Sequence, residues 1–329
     1  MPCMRIAFRG PLLTAVVVLM AAQALDAAES AIGKGAARGA GKASRGAGAE
    51  RAAFTLTDPN VVRRQETYKQ VGDATLKIDI FELQQKDPAK KYPAIVFFFG
   101  GGWTGGSPAQ FYPHCEYLAG RGMIAMAAEY RIKSRHGTTP ADCVKDGKSA
   151  VRWIRANAGR LGIDPGRIAA GGGSAGGHVA AAVATSPGFE EAGDDTAVSS
   201  RPNALVLFNP VFDNGPQGYG HDRVKEFFPA ISPLHNLRPG TPPTIVFLGT
   251  EDKLIPVATA KDYQARMEKH GDRCELLLYE GQPHGFFNYR GATSPYFSRT
   301  VFEADKFLAS LGWIEGEPTM KKIATDPLK

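Results

Sequence analysis

The sequence has few cysteines, and they are widely spaced. Four of the 329 residues are cysteine, and Cys115, Cys143 and Cys274 lie outside the N-terminal leader described below. This odd, scattered set excludes a disulfide-dense scaffold and a cysteine metal cluster. A single bridge between Cys115 and Cys143 is one alternative in an oxidising compartment, and buried free thiols are the other.

An excess of one charge is also missing beyond residue 53. Residues 1–53 hold seven Lys or Arg and three Asp or Glu, whereas the rest of the chain holds 32 basic and 30 acidic side chains. Nucleic-acid binding needs basic side chains clustered on a folded surface. After residue 53 the sequence offers only short pairs such as Arg63-Arg64, so we expect no nucleic-acid partner.

The apolar run near the N-terminus is too short for a membrane span. Leu12–Ala22 follows Arg5 and Arg9 and precedes small residues up to Ala28, the layout of a secretory signal peptide. A bilayer-spanning helix takes about 20 apolar residues, so a retained anchor is the less favoured alternative. We expect residues 1–28 to be a cleaved signal peptide, the chain to be secreted or periplasmic, and no stable membrane insertion afterwards.

A low-complexity segment follows this leader. Residues 29–53 consist largely of Ala, Gly, Ser, Lys and Arg, a mixture that buries too little apolar surface to offset the entropy of ordering. We predict a linker there and a single folded domain over residues 54–329.

Short apolar runs alternate with longer helical patterns in this domain, which predicts an α/β fold with a mostly parallel sheet and helices on both faces. Thr67–Val71 and Thr75–Leu83 predict an antiparallel pair at a half-exposed edge. Continuous apolar runs predict the buried strands Ala94–Phe99, Met123–Ala128, Arg167–Ala170, Ala204–Phe208, Thr244–Leu248 and Glu275–Tyr279. Helical patterns cover Ser107–Gly120, Pro140–Ala158, Ser174–Ala184, Val257–His270 and Ser298–Leu311. Residues 211–243, rich in Gly, Pro and Asn, predict an insertion over the sheet edge that forms a short cap.

The strongest chemical signal is the segment Gly172–Gly176, which reads Gly-Gly-Ser-Ala-Gly. It matches G-x-S-x-G between a predicted strand and a predicted helix, as a nucleophile elbow requires. The strained turn needs small neighbours around Ser174, and the helix N-terminus offers N–H groups to an oxyanion. A glycine-rich turn without chemistry is the alternative, which the flanking elements disfavour.

A second signal is the run Gly100-Gly101-Gly102, which ends a predicted strand and precedes Trp103. Glycines there let backbone amides approach an oxyanion. Over about residues 81–311 the chain resembles the hormone-sensitive-lipase-like and carbohydrate-esterase-like branch of the α/β-hydrolases, which includes acetyl xylan and feruloyl esterase-like proteins and has an H-G-G-G-W oxyanion segment. The resemblance implies an α/β-hydrolase fold and oxyanion-hole N–H groups from Gly101, Gly102 and Ala175.

The sequence departs from this family at two positions. The family usually has His directly before the glycine run, and this chain has Phe99 there. The lipase-like branch often has Asp directly before the serine, and this chain has Gly173 there. Tyr130-Arg131 matches another family segment, and Asp146 lies near an acidic family position. For these residues we predict a structural hydrogen-bonding role.

The acid and base follow from chain order, which in this fold runs serine, acid, histidine. Asp252 lies after a predicted strand in a loop that resembles the family's acid loop, with Glu251 as the alternative. His284 lies just past the last predicted strand, where the family has its base. His178 follows Ser174 by one helical turn, which places it along the helix, away from the serine hydroxyl.

These residues predict a serine carboxylic ester hydrolase with the catalytic triad Ser174, Asp252 and His284, and no metal or organic cofactor. The expected partner is a small-molecule or glycan ester, with acetyl or feruloyl groups on polysaccharides as the specific hypothesis. A prolyl-oligopeptidase-like peptidase is the enzymatic alternative, and a non-catalytic binding protein with a hydrolase fold is the other.

Overall fold

An eight-stranded sheet with the order β1-β2-β4-β3-β5-β6-β7-β8 organises the residues described by the computed structural model, which are 54–291 and 294–320. The strands are β1 Val61–Val71, β2 Ala74–Leu83, β3 Tyr92–Phe98, β4 Ile124–Ala128, β5 Ile163–Gly173, β6 Ala204–Phe208, β7 Thr244–Gly249 and β8 Cys274–Tyr279. Strands β3 to β8 pair in parallel, and β2 pairs antiparallel with both β1 and β4. The predicted signal peptide and linker lie outside the described residues and stay predictions.

Helices cover both faces of the sheet. Their bounds are α1 Tyr112–Gly120, α2 Lys133–His136, α3 Pro140–Ala156, α4 Ala158–Leu161, α5 Ala175–Thr185, α6 His221–Val224, α7 Val257–Lys269 and α8 Pro295–Ser310. Helices α3, α5 and α7 contribute to one core cluster, and α1 and α8 contribute to a second. Successive residues of β3 alternate between the clusters, because side chains of a strand point to opposite faces. The predicted α/β-hydrolase fold is confirmed.

Two strands are longer than the sequence predicts. Strand β1 begins at Val61, where Arg63, Arg64 and Glu66 obscure the alternation and form ion pairs on the sheet. Strand β5 continues to Gly173, although Gly171, Gly172 and Gly173 resemble a loop in sequence. A Cβ on Gly171 would lie 2.6 Å from the Phe97 ring, so the strand needs glycine in order to pair there.

The remaining differences are small. The helix predicted from Ser107 divides into a 3₁₀ turn at Pro108–Phe111 followed by α1. Helix α3 begins at Pro140, as predicted, with a capping box between Thr139 and Asp142. Strand β2 lies inside the sheet, so β1 alone forms the half-exposed edge.

The carboxyl ends of the central strands carry the residues predicted for the site. Ser174 follows β5 directly, Asp252 follows β7, and His284 lies in the segment after β8. Because parallel strands end at the same edge of the sheet, these three side chains meet there.

Candidate active site

Ser174 occupies a strained turn between β5 and α5. Its backbone has φ 54° and ψ −119°, a region that non-glycine residues enter only when the surrounding structure enforces it. The Ser174 N–H donates to the Phe208 carbonyl at 3.0 Å. A Cβ on Gly176 would lie 2.0 Å from the Phe98 carbonyl oxygen, so this close approach of backbones requires glycine. The sharp turn leaves Ser174 partly exposed, whereas its neighbours are buried.

His284 connects Ser174 to Asp252 through two short contacts. Its Nε2 lies 2.9 Å from Ser174 Oγ, and its Nδ1 lies 2.7 Å from Asp252 Oδ2. The Asp252 side chain is fully buried, whereas the His284 side chain is 22% exposed. A proton on Nδ1 directed at the carboxylate leaves Nε2 free to accept the serine proton.

The carboxylate of Asp252 is held by its own loop. Its Oδ1 accepts hydrogen bonds from the N–H groups of Leu254 at 2.8 Å and Ile255 at 3.0 Å. These bonds offset the loss of water around a buried charge. Glu251, the alternative acid, is exposed and pairs with Lys253. The structure therefore brings Asp252, and not Glu251, to His284.

The glycine run after β3 passes beside Ser174. A Cβ on Gly100 would lie 3.4 Å from Ser174 Cβ, and Gly101 and Gly102 have φ of 124° and 61°. Within residues 54–291 and 294–320, the N–H groups of Gly101 and Gly102 have no hydrogen-bond acceptor. Ala175 begins α5, so its N–H has no carbonyl one turn earlier. The three predicted oxyanion donors therefore have no hydrogen-bond acceptor in the part of the chain that the structure describes.

Comparison with known proteins places this geometry in a family. Residues 78–213 match the BD-FAE family model, and residues 218–288 match a model described as alpha/beta hydrolase fold. The solved structure of Thermogutta terrifontis esterase 2 phosphoramylated by tabun superposes with a TM-score of 0.76 at 44% identity, covering 81% of this chain and 100% of that one. The chain belongs to the esterases of the α/β-hydrolase family.

Curated relatives of this α/β-hydrolase include several esterases. The chain is 31% identical over 218 residues to esterase LipQ of Mycobacterium tuberculosis, which covers 59% of this chain and 50% of that protein. It is 26% identical over 248 residues to an acetylxylan esterase of Xylanibacter ruminicola, covering 70% of this chain and 47% of that protein. The chain therefore spans about half the length of these curated relatives.

Phe99, which replaces the family's usual histidine, has a structural role in this α/β-hydrolase. Its ring stacks on Tyr130 with centroids 4.2 Å apart, and the Tyr130 hydroxyl donates to the Phe99 carbonyl at 2.6 Å. This contact fixes the backbone directly before the glycine run. An aromatic pair thus anchors the oxyanion segment without a histidine.

Four charged side chains form a group that we call the ion cluster: Lys69, Arg131 and Asp146, which are buried, and Glu191, which is partly buried. Asp146 Oδ1 lies 2.6 Å from Lys69 Nζ and 2.9 Å from Arg131 Nη2, and Glu191 contacts both cations. The Arg131 N–H also donates to Asp146 at 2.8 Å. These contacts confirm the hydrogen-bonding role predicted for Arg131 and Asp146.

Two other histidines are buried away from the triad. His114 lies in an aromatic cage, and burial lowers its pKa to about 3. Burial also lowers the pKa of His178 to about 4, although a hydrogen bond to the Ile231 carbonyl opposes the shift. His178 packs edge-on against Trp103 with ring centroids 5.1 Å apart. It is a packing residue, as its position along the helix predicts.

The insertion after β6 reaches the glycine run. The Tyr219 ring lies 5.7 Å from the Trp103 ring, and Arg223 Nη1 donates to the Gly102 carbonyl at 2.9 Å. These contacts place residues of the predicted cap over the carboxyl-terminal edge of the sheet. By contrast, Phe212 stacks on Tyr263 with centroids 3.7 Å apart, inside the core.

Cys115, Cys143 and Cys274 are free and buried, which removes the alternative of a Cys115–Cys143 bridge. In the described part of the chain no group of three or more His, Cys, Asp or Glu side chains is arranged to hold a metal ion. None of the described helices has both the length and the apolar character needed to cross a bilayer.

Three side-chain amides around the site have no counterpart in the sequence-based prediction. Asn209, directly after β6, contacts both His284 and Gly285, and Gln110 and Asn288 join the glycine run to the histidine loop. None of them lies in a recognised motif. The sequence does contain one signal for Asn209: it is a polar residue directly after a buried strand, where site residues often lie.

Proposed function

We propose that this chain is an exported serine hydrolase that cleaves carboxylic esters with short acyl groups. The observation that carries the proposal is the continuous contact from Ser174 Oγ through His284 to Asp252, beside N–H groups of Gly101 and Gly102 that have no acceptor among the described residues. A nucleophile, an oriented base and oxyanion donors at one strand edge are the parts that acyl transfer requires.

In the proposed reaction, one group at the site carries out each step. Ser174 Oγ attacks the ester carbonyl while His284 Nε2 takes its proton, and the N–H groups of Gly101, Gly102 and Ala175 bind the resulting oxyanion. His284 then gives that proton to the leaving alcohol, which leaves an acyl-enzyme. Water attacks the acyl-enzyme and its proton passes to His284, which gives that proton to Ser174 Oγ as the acid departs.

Short acyl groups are supported by the small insertion and by the relatives. Structures of Thermogutta terrifontis esterase 2 include a propionate-bound form at 45% identity and a butyrate-bound form at 44% identity. A curated relative is an acetylxylan esterase. Tyr219 packs on Trp103 and Arg223 donates to Gly102, so we expect the insertion to restrict the space beside Ser174. Acetyl groups, and then feruloyl groups, on polysaccharides are the natural substrates we propose.

Hydrolysis of p-nitrophenyl acetate, butyrate and octanoate by wild type and Ser174→Ala tests the proposal. We expect wild type to prefer the short esters and Ser174→Ala to lose at least about 10⁴-fold in kcat. Ser186→Ala, at the other end of α5, is the matched control because its buried hydroxyl has no partner among the described residues. Equal activity in wild type and Ser174→Ala would refute the proposal, and an inactive wild type would direct the work to peptide substrates.

Export is proposed from residues 1–28 alone. Expression of the full chain in a Gram-negative host, followed by intact mass measurement of the periplasmic protein, tests it. We expect a mass that corresponds to cleavage near Ala28. A full-length protein confined to the cytosol contradicts the proposal of export and leaves the proposed chemistry unaffected.

A further inference from the structure

We propose that Asn209 is a positioning residue that fixes both the place of His284 and the protonation state of its Nε2. The proposal rests on the proposed catalytic triad and adds a residue to it. Asn209 directly follows β6, is completely buried and has a positive φ of 35°. Asparagine tolerates this conformation better than most residues, and the Asn209 N–H is held by the Phe247 carbonyl at 2.7 Å.

The side-chain amide of Asn209 touches the histidine loop at two points. Its Oδ1 accepts a hydrogen bond from the Gly285 N–H at 3.0 Å, directly after the base. Its Nδ2 lies 3.4 Å from His284 Nε2, on the nitrogen that faces Ser174 Oγ. This second contact is long, as such contacts often are before substrate binds.

The orientation of this amide is fixed by the backbone. A backbone N–H only donates, so the atom facing the Gly285 N–H must be the oxygen of Asn209. The NH₂ group therefore faces His284, and a donor there is compatible only with an Nε2 that carries no proton. Asn209 thus favours the tautomer with its proton on Nδ1, which is the form able to accept the serine proton.

A second set of amides holds the other side of Gly285. Asn288 Nδ2 donates to the Gly285 carbonyl at 2.8 Å, and Asn288 Oδ1 accepts from Gln110 Nε2 at 2.9 Å. Gln110 Oε1 accepts the Gly100 N–H at 2.6 Å. Gly285 is therefore fixed on both sides, and this chain of bonds ties its position to the residue that precedes the oxyanion donors.

Asn209→Asp tests the inference with a nearly isosteric change. Aspartate retains an acceptor for the Gly285 N–H and tolerates the positive φ, but it directs a carboxylate oxygen at Nε2 and so favours a proton there. We expect kcat at pH 7 to fall about 100-fold, the lower end of what a general base contributes, with KM unchanged. Among the described residues, Asp252 is the other carboxylate in contact with the His284 ring, and it is retained.

The pH profile separates this role from a purely structural one. Asp252 holds a proton on Nδ1, so a further proton on Nε2 makes His284 of Asn209→Asp a cation. That extra proton is lost as the pH rises, and the kcat of Asn209→Asp should therefore recover between pH 6 and 9 relative to wild type. Asn209→Gly, which permits the same backbone without adding charge, should lose activity without that recovery. Asn203→Asp is the matched control at the opposite end of β6, because Asn203 Oδ1 accepts from Ile168 N–H and Arg155 and aspartate keeps both bonds.

Each outcome decides the matter. A wild type without esterase activity overturns the proposed function itself. An active wild type with Asn209→Asp at wild-type kcat and an unchanged pH profile overturns only the role of Asn209. If Asn209→Asp loses thermal stability but keeps kcat per folded molecule, the residue serves folding and the inference is also wrong. A low kcat that recovers at high pH, with Asn203→Asp unchanged, supports it.

Discussion

The candidate triad and the ion cluster both place buried carboxylates against cationic or basic side chains. They differ in whether every polar group of the set is paired within it. In the ion cluster, Asp146 and Glu191 are shared between Lys69 and Arg131, so each charge meets an opposite one. In the triad, the side chain of Asp252 is fully buried but Ser174 and His284 are partly exposed, and Ser174 has a strained backbone.

The difference indicates how one fold separates stability from chemistry. The charges of the ion cluster are paired with one another. The triad ends at a hydroxyl beside N–H groups that have no acceptor among the described residues. The strained backbone and the exposure of Ser174 lower the stability of the fold. Packing of the surrounding core must compensate for that loss. Changes in the two regions should therefore affect different measurements.

Asp252→Asn should have the largest effect on activity and the smallest on stability. The amide cannot hold the His284 tautomer or stabilise its cation, so we expect kcat to fall about 10⁴-fold. The measurement is kcat for p-nitrophenyl butyrate, together with the urea midpoint of unfolding. Glu251→Gln is the adjacent control and should retain activity, since Glu251 contacts Lys253 at the surface. Similar losses in both variants would argue against Asp252 as the acid.

Asp146→Asn should reverse this pattern. It leaves Arg131 and Lys69 with reduced compensation, and breaking a buried ion pair in this way costs about 3–5 kcal/mol of unfolding free energy. Urea denaturation measures that loss, and kcat per folded molecule should stay near the wild-type value. Asp262→Asn, which removes an exposed pair with Arg266, is the matched control and should cost less than about 1 kcal/mol. A loss of kcat without a loss of stability would contradict this prediction and show that the ion cluster affects catalysis.

His114→Leu extends the comparison to a third kind of buried polar group. Neither ring nitrogen of His114 has a hydrogen-bond partner among the described residues. Burial lowers the pKa of His114 to about 3, below its value of about 6.5 in an unfolded chain. The unfolded state therefore binds more protons, and stability falls as the pH drops from 6.5 toward 3. Leucine removes that dependence.

We expect His114→Leu to be more stable than wild type by about 1 kcal/mol at pH 7.5, because it removes an unsatisfied buried group. The advantage should grow by roughly 1 kcal/mol for each pH unit below 6.5. Urea midpoints at pH 7.5, 6.0 and 5.0 measure both effects. His178 remains in both proteins, so its own titration cancels. Parallel curves for the two proteins would show that His114 does not contribute to acid sensitivity.

Much of the fold is predictable from the sequence because its signals are local. Continuous apolar runs mark β3 to β8, and the segment Gly172–Gly176 marks the turn where Ser174 lies. The charged start of β1 and the glycines of β5 mislead a local reading, because neighbouring strands determine their conformation. The structure brings together the three residues predicted for the triad, and their catalytic role stays a prediction until it is measured.

The supporting residues of the site could not be predicted in this way. Gln110 and Asn288 are 178 positions apart in the chain, and neither has a local pattern that indicates a partner. Asn209 contacts His284 across 75 positions. Such contacts depend on how the loops after different strands meet, and only the assembled sheet determines that.

Alkylation of the free cysteines can report the unfolding of this protein. Cys115, Cys143 and Cys274 are buried, and burial raises the pKa of each thiol above its ordinary value. Alkylating reagents attack the exposed thiolate, so the native chain should resist labelling and an opened chain should not. Because Cys115, Cys143 and Cys274 are free, a reducing buffer breaks no bond among them, and the mass added by the alkylating reagent would report unfolding under reducing conditions.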